Sequence, residues 1–500
     1  MINILKYKKT ILIIGLLFVE LISFLSFLNP SINNLVFLIV FLSVLFAAFY
    51  RLEYAVYILF AELIIGSKGY LFSIHFNDVT ISIRMAIWLI IMSVWFIGYL
   101  GSFVKDKTWP KLSIPNFKLF ITLFAFILLG IANGLWHHNG YSNIFFDSNG
   151  WFFFLLIFPL SQIIISDFFE KLKTVFISST IWLSIKTFLI LYFFSHNFFI
   201  LPVVYKWIRD TGVGEITFIQ SGFYRIFIQS HIFVLIAFII VSAMILLSII
   251  KNRLDKKEFF NKIFISSFFL SVILISFSRS FWVGLSASFL IIYSFIFYYF
   301  KPTLKSLMMS FFVFIAIVII AISLVTITVR FPYPRAIGNF NTASLLTDRA
   351  NDLTGEAGVS SRWALLPVLS NKIFKSPILG YGFGSTVTYR SSDPRILFQN
   401  LDGLYTTYAF EWGWLDTWLK VGFLGMAIYL YIIFYFIFKT ANDIKRGKFV
   451  DKNYITTGIL AALASIAILN NFSPYLNHPL GILFILILNK YLFNNNKITA

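Results

Sequence analysis

An all-α polytopic membrane protein is what this sequence predicts, and three observations predict it. Of its 500 residues, 59% are hydrophobic and 12% are charged, about half the charged share of a soluble domain. Mean hydropathy is +0.86. Apolar runs recur at about the 20-residue length with which a helix crosses a bilayer. The chain has no cysteine, which excludes disulfides and thiolate metal sites.

Taken in order, the runs fall near 10–28, 34–50, 53–66, 80–103, 117–135, 150–166, 173–195, 225–250, 260–278, 280–300, 305–329, 408–438, 454–470 and 475–493. The expected architecture is therefore about 12–14 transmembrane helices. Residues 1–329 form an N-terminal bundle of about 11 spans, 330–407 one large polar loop, and 408–500 about three closing spans. Lys6, Lys8 and Lys9 precede the run from Ile11 to Leu28. No small-residue cleavage site follows it, so the run reads as a retained first span.

The formal net charge is +19, and its placement decides what it means. Lys105, Lys107 and Lys111, the stretch from Lys251 to Lys262, Lys301 with Lys305, and Lys445 to Lys448 all fall in connections on one side. Cytoplasmic loops carry such an excess of Lys and Arg. The charge thus reads as a topology signal and a contact with anionic lipid, and no nucleic-acid partner is expected. Both termini are expected in the cytoplasm, with the long loop outside.

That loop, from Arg330 to Thr407, holds the most specific string in the sequence, from Ser361-Arg362-Trp363 to Pro377-Ile378-Leu379-Gly380-Tyr381-Gly382-Phe383-Gly384. A simple channel or anchor has little use for it. Ser360-Ser361 is expected to cap a short helix running to Lys375, with Trp363, Leu365, Leu366, Leu369 and Phe374 as apolar contacts against the membrane surface. Pro367 limits its regularity, and Pro377 ends it.

Arg225 is expected at the outer start of a span, Arg279 in a tight outer turn, and Arg362 in the loop. An arginine against hydrocarbon is costly unless it snorkels or finds a partner. Snorkelling to headgroup phosphates is the plain reading. An anionic ligand is the functional one, because a planar guanidinium grips a diphosphate through two parallel hydrogen bonds. Gly380 and Gly382 permit a sharp turn or close approach to a ligand, without the lysine of a nucleotide loop. Glu411 suits either a general base toward a sugar hydroxyl or a structural ion pair. Asp416 is one helical step from Lys420 and is expected to pair with it. Glu20, Glu62 and Lys186 lie within spans, with a Glu62–Lys186 pair as the plain reading. His137-His138 with Asp147 is thin support for a metal. The outer loops carry no Asp-x-Asp, which disfavours a metal-dependent sugar-nucleotide transferase.

Together these pieces resemble the bacterial O-antigen polymerase and ligase superfamily, of Wzy-type polymerases and WaaL-type ligases. Four elements carry the resemblance. Arg225 follows an outer loop, and Ser278-Arg279 sits in a turn between spans. The loop holds Ser361-Arg362 with Pro367, then Pro377, Gly380 and Gly382. Glu411 precedes Gly422-Phe423-Leu424-Gly425. The resemblance implies a class-C-like membrane glycosyltransferase fold in the bacterial cytoplasmic membrane, without metal or cofactor. It implies a polyprenyl-diphosphate-linked glycan as donor, membrane lipids as surroundings and a chain-length regulator protein as partner. Arg225, Arg279, Arg362, Gly380 and Gly382 would contact substrate, and Glu411 would act as base. WaaL-type ligases place a histidine near the start of the span after the loop, where this chain has Glu411, so polymerase leads ligase. A lipid-linked glycan flippase or transporter is the reading from another class. It would show internal repeats, broken helices and midplane polar groups, and Glu20, Glu62 and Lys186 give it footing.

Overall fold

The computed structural model describes residues 2–76, 79–165, 167–196, 198–220, 222–252, 255–336, 357–446 and 453–494. The helices are α1 (Ile2–Leu28), α2 (Pro30–Tyr50), α3 (Leu52–Gly66), α4 (Ile83–Asp106), α5 (Phe117–Trp136), α6 (Tyr141–Ser148), α7 (Ile157–Gln162), α8 (Phe168–Ser195) and α9 (Leu201–Asp210). They continue with α10 (His231–Ile250), α11 (Lys256–Ser276), α12 (Arg279–Phe300), α13 (Leu304–Val329), α14 (Ala357–Lys375), α15 (Pro394–Gln399), α16 (Gly413–Lys445), α17 (Asn453–Leu469) and α18 (Pro479–Asn494). A 3₁₀ segment, Asn149–Leu156, joins α6 to α7, and another, Tyr475–Asn477, precedes α18. Among the described residues, eleven helical spans are long and apolar enough to cross a membrane. Three of the expected spans, α3, α17 and α18, are shorter, with 15, 17 and 16 residues.

Local chemistry starts and stops these helices. Ser82, Asp255 and Thr303 cap α4, α11 and α13 by accepting the amides of Met85, Glu258 and Ser306, which satisfies donors that have no partner within the helix. Pro30 opens α2 behind Asn29, where its missing N–H costs nothing. The core centres on α10, which is buried along most of its length. Gly458 lets α17 lie against it, since a methyl there would meet Ile240 Cα at 2.6 Å.

The three charges expected within spans, Glu20, Glu62 and Lys186, are paired, in a different pattern from the one expected. Lys186 donates to Glu20 at 2.5 Å and to Ile65 O at 3.0 Å. Glu62 instead accepts two hydrogen bonds from Arg84, at 2.7 and 3.1 Å. Arg84 stands in the first turn of α4, next to α3 and its Glu62, while Lys186 on α8 reaches across to α1. Pairing offsets the cost of desolvating each charge, so these groups have a structural account and lend the transporter reading no support.

Three antiparallel hairpins supplement the helices: β1 (Ser73–Phe76) with β2 (Val79–Ser82), β3 (Glu215–Gln220) with β4 (Phe223–Phe227), and β5 (Val387–Arg390) with β6 (Leu404–Thr407). Two expectations change here. Arg225 lies on β4, paired with Thr217, and not at a span start, because α10 begins six residues later at His231. In the long connection α14 is already helical at Ala357, so Ser360 and Ser361 lie inside it and do not cap it. Ser361 Oγ instead accepts the Ser392 amide at 2.8 Å. The helix runs through Pro367. Its apolar stripe Leu365, Leu369 and Ile373, spaced four residues apart, packs on Val387, Phe410 and Leu419. The loop therefore has a small core of its own on α16, which removes that stripe from the membrane surface. Trp363 and Phe374 remain exposed.

Candidate functional site

The three candidate arginines, separated by 137 residues of chain from first to last, come together. Arg225 points from the β3–β4 hairpin to the turn before α12, where its Nε donates to Ser276 O at 3.1 Å. Arg279 begins α12 at that same turn. The turn is made by Phe277 in the left-handed region (φ 49°) and by Ser278, whose Oγ lies 2.9 Å from Ser280 Oγ. Arg362, on the first described turns of α14, forms an ion pair with Glu411 just before α16. Trp412 locks this pair in place, donating from Nε1 to Arg362 O at 3.1 Å and meeting Trp363 edge-on at 5.9 Å.

The charges of the group act on one another. Burial lowers the Arg225 guanidinium from its usual range, with Glu215 opposing and Arg279 adding to the fall. Burial likewise lowers Arg362, and the charge of Arg225 adds to it. Both remain cations, since guanidinium keeps its proton in proteins. Tyr475 lies within the field of both. Its ring is buried and stacks on Phe281 at 6.1 Å. Its hydroxyl has no hydrogen-bond partner among the described residues. Burial raises its pKa, against the nearby charges of Arg362 and Arg225. Arg225 and Arg362 thus both act on one buried hydroxyl, with Arg279 beside Arg225, Glu215 near Arg225 and Glu411 paired with Arg362. Such a group favours an anion that brings several acceptors.

Gly380 and Gly382 lie elsewhere. The segment from Ile378 to Gly384 threads between α5 and α16. Tyr381 N donates to Leu419 O at 2.7 Å, Phe383 N to Gly130 O at 3.1 Å, and Gly384 N to Asp147 Oδ2 at 2.8 Å. Asn133 and Asn139 on the α5 side donate to four carbonyls of the segment. Gly382 has φ +77°, and a methyl on it would stand 2.5 Å from Gly130 O and 2.6 Å from Gly134 Cα. A methyl on Gly380 would meet Leu419 C at 2.9 Å. Protein backbone, not space for a ligand, faces both glycines. The segment also exploits a break in α16 at Gly422 (φ 74°, ψ 173°), where Phe423 N donates to Ile378 O at 3.1 Å.

Beside the arginine group lies a cavity of about 690 Å³, between α4, α6, α16 and the Pro474–Leu480 connection. Lys420 enters its wall between two carboxylates, paired with Asp147 and 2.5 Å from Asp416 Oδ1. Asn477 supports the group, donating to Asp416 Oδ2 at 2.7 Å and accepting from Thr417 at 2.9 Å. The Asp416–Lys420 pairing is the one the spacing predicts. Asp147 turns inward to Lys420 and Gly384, while His137 Nδ1 lies 2.9 Å from its own Asn133 O, so His137 and Asp147 form no metal site.

Sequence reasoning missed Tyr475, Asn477 and His478. Their signal was present in Asn470-Asn471-Phe472-Ser473-Pro474-Tyr475-Leu476-Asn477-His478-Pro479, a polar, proline-bounded connection between two spans that carries neither Lys nor Arg.

Residues 263–430 match the Wzy_C family model, described as O-antigen ligase. The matched segment contains Arg279, Arg362, Gly380, Gly382 and Glu411. It bears out the resemblance to the O-antigen polymerase and ligase superfamily, and the eleven apolar spans among the described residues mark a multi-pass membrane protein. A search of curated proteins finds no match.

Proposed function

We propose that this chain is a polymerase of cell-surface polysaccharide in the bacterial cytoplasmic membrane, working at the outer face with both termini inside. It transfers a glycan from polyprenyl diphosphate to a sugar hydroxyl of an acceptor. The observation that carries this reading is the clustering of Arg225 with Arg279 and Arg362, with the buried Tyr475 hydroxyl beside Arg225 and Arg362 and Glu411 held at Arg362.

The chemistry follows from that placement. The acceptor oxygen attacks the anomeric carbon as the bond to the diphosphate breaks, inverting the configuration. Negative charge grows on the leaving diphosphate, where fixed cations stabilise the transition state more than the ground state. Glu411 takes the acceptor's proton, and Arg362 is released from Glu411 toward the diphosphate as it does so. The arginines supply the charge neutralisation for which other transferases use a metal ion.

A second reading, transfer to a lipid or protein acceptor, is favoured by the family model's own description as a ligase. The chain-length ladder of surface polysaccharide separates the two. Arg279→Ala, at matched membrane levels, is expected to collapse the ladder to a single attached repeat. Loss of all surface attachment while long lipid-linked chains accumulate would replace polymerase with ligase. An unchanged ladder would remove the arginine group from the mechanism.

A further inference from the structure

The cavity beside the arginine group is walled by chemistry that the transfer step described above does not use. Four polar side chains reach its lining from four different connections: Lys68 after α3, Gln229 before α10, Tyr408 after β6 and His478 before α18. None of the four makes a side-chain hydrogen bond among the described residues. Trp88 and Phe146 supply aromatic surface between them, and the Trp88 indole N–H also has no partner there.

Uncommitted donors and acceptors converging with aromatic rings in one concave site describe a polyhydroxylated ligand. Its volume, about 690 Å³, lies within the roughly 300–1,000 Å³ of small-molecule sites. The charge pattern separates it from the arginine group. Lys420 is balanced by Asp147 and Asp416, and Arg84 by Glu62. Of the lining cations, Lys68 alone has no carboxylate partner among the described residues, against three clustered arginines in the neighbouring group. A ligand rich in hydroxyls and with little charge suits this lining.

Two short segments connect this cavity to the arginines. Tyr408, Ala409 and Phe410 line it, and the next residue, Glu411, is the partner of Arg362. Asn477 and His478 line it, and Tyr475, one turn earlier, stands among the arginines. We propose that this cavity is a glycan-binding site, which seats the terminal sugars of the acceptor and delivers a hydroxyl toward Glu411. In assigning the acceptor role it rests on the transfer reading; as a glycan site it does not.

The test is equilibrium binding of a fluorescently labelled, lipid-free repeat-unit oligosaccharide, released from the host's own surface polysaccharide, to the full-length protein in nanodiscs. Ala409→Trp fills the cavity from an exposed position and is expected to abolish binding, while Ala409→Ser binds as the parent does. Tyr408→Phe removes one hydroxyl and is expected to weaken binding about tenfold, the worth of one hydrogen bond. Arg279→Ala is expected to bind normally although it transfers nothing. Full binding by Ala409→Trp, or displacement of the sugar by polyprenol or phospholipid, would overturn the proposal. So would the absence of binding by a protein that still extends chains. Binding that Ala409→Trp abolishes, in a protein that extends no chains, would keep the glycan site and sink the transferase reading.

Discussion

Arg362 and Glu411 lie 49 residues apart in the chain and close on each other as an ion pair at the mouth of the arginine group. The pair ties the loop helix to the start of α16. It also sets the one carboxylate expected as a base beside one of the three cations expected to hold a diphosphate. Structural and catalytic readings of Glu411 are thus not exclusive, and they separate in the response to mutation.

If Glu411 accepts the acceptor's proton, Glu411→Gln lowers kcat of chain extension by about 10²–10⁴-fold and changes donor KM little. The charge-swapped double variant Arg362→Glu/Glu411→Arg preserves a pair but moves the base. A purely structural pair predicts that the swap restores activity. The transfer mechanism predicts a folded, inactive protein, read by extension kinetics alongside thermal melting in the same detergent.

Tyr475→Phe gives a sharper dissociation. The hydroxyl is buried and without a partner among the described residues, so deleting it removes a desolvation cost of about 1–3 kcal/mol. Stability is expected to stay level or rise. If the hydroxyl contacts the diphosphate, transfer falls in the same variant. A loss of activity accompanied by a loss of stability would instead mark the tyrosine as structural.

Gly382→Ala is expected to destabilise the loop docking. The left-handed backbone costs an alanine about 1–2 kcal/mol, and the methyl meets backbone atoms of α5 that cannot yield, adding about 1–3 kcal/mol. Gly98→Ala, with nothing within 4 Å, serves as the harmless control. A drop in melting temperature for Gly382→Ala that is no larger than the control's would refute the packing account of the glycine-rich stretch.

Much of the bundle was legible because spanning helices declare themselves by length and apolarity alone, and the arginines declared themselves because cations are costly where they stand. The roles within the loop were less so. Gly380 and Gly382 read equally as a ligand cradle or a turn, since both demand the same backbone freedom, and the backbone that faces them comes from elsewhere in the chain, α16 at Gly380 and α5, some 250 residues upstream, at Gly382. Glu62 and Lys186 looked like partners because both are buried ions, yet which helices touch is a tertiary fact, and it gave them Arg84 and Glu20. Tyr475 and His478 carried no net charge to mark them. Their meaning comes from what surrounds them.

Removing Lys420 tests the buried network directly. Lys420→Met leaves Asp147 and Asp416 facing each other without a cation inside the protein, a change that costs about 3–5 kcal/mol for a broken buried pair. The triple variant Lys420→Met/Asp147→Asn/Asp416→Asn removes the stranded charges and is expected to recover most of that loss. A triple variant as unstable as Lys420→Met would show that packing of the lysine stem, not charge, holds the site.

The pH dependence of stability singles out His478. Its imidazole is exposed at the cavity, yet the protein crowded around it lowers its pKa from 6.5 to about 4, with the charges of Lys420, Lys68 and Arg84 acting in the same direction. Between pH 4 and 6.5 the unfolded chain therefore binds a proton at this histidine that the folded protein refuses. Stability rises with pH wherever the unfolded state binds more protons. His478 accordingly contributes a loss of stability as pH falls from about 6.5, levelling off below about 4. His478→Asn is expected to flatten the melting-temperature profile across that window and leave it unchanged above pH 7. An unaltered slope between pH 4 and 6.5 would mean that the histidine is protonated as easily in the cavity as in water, and that the cations around it are screened by solvent.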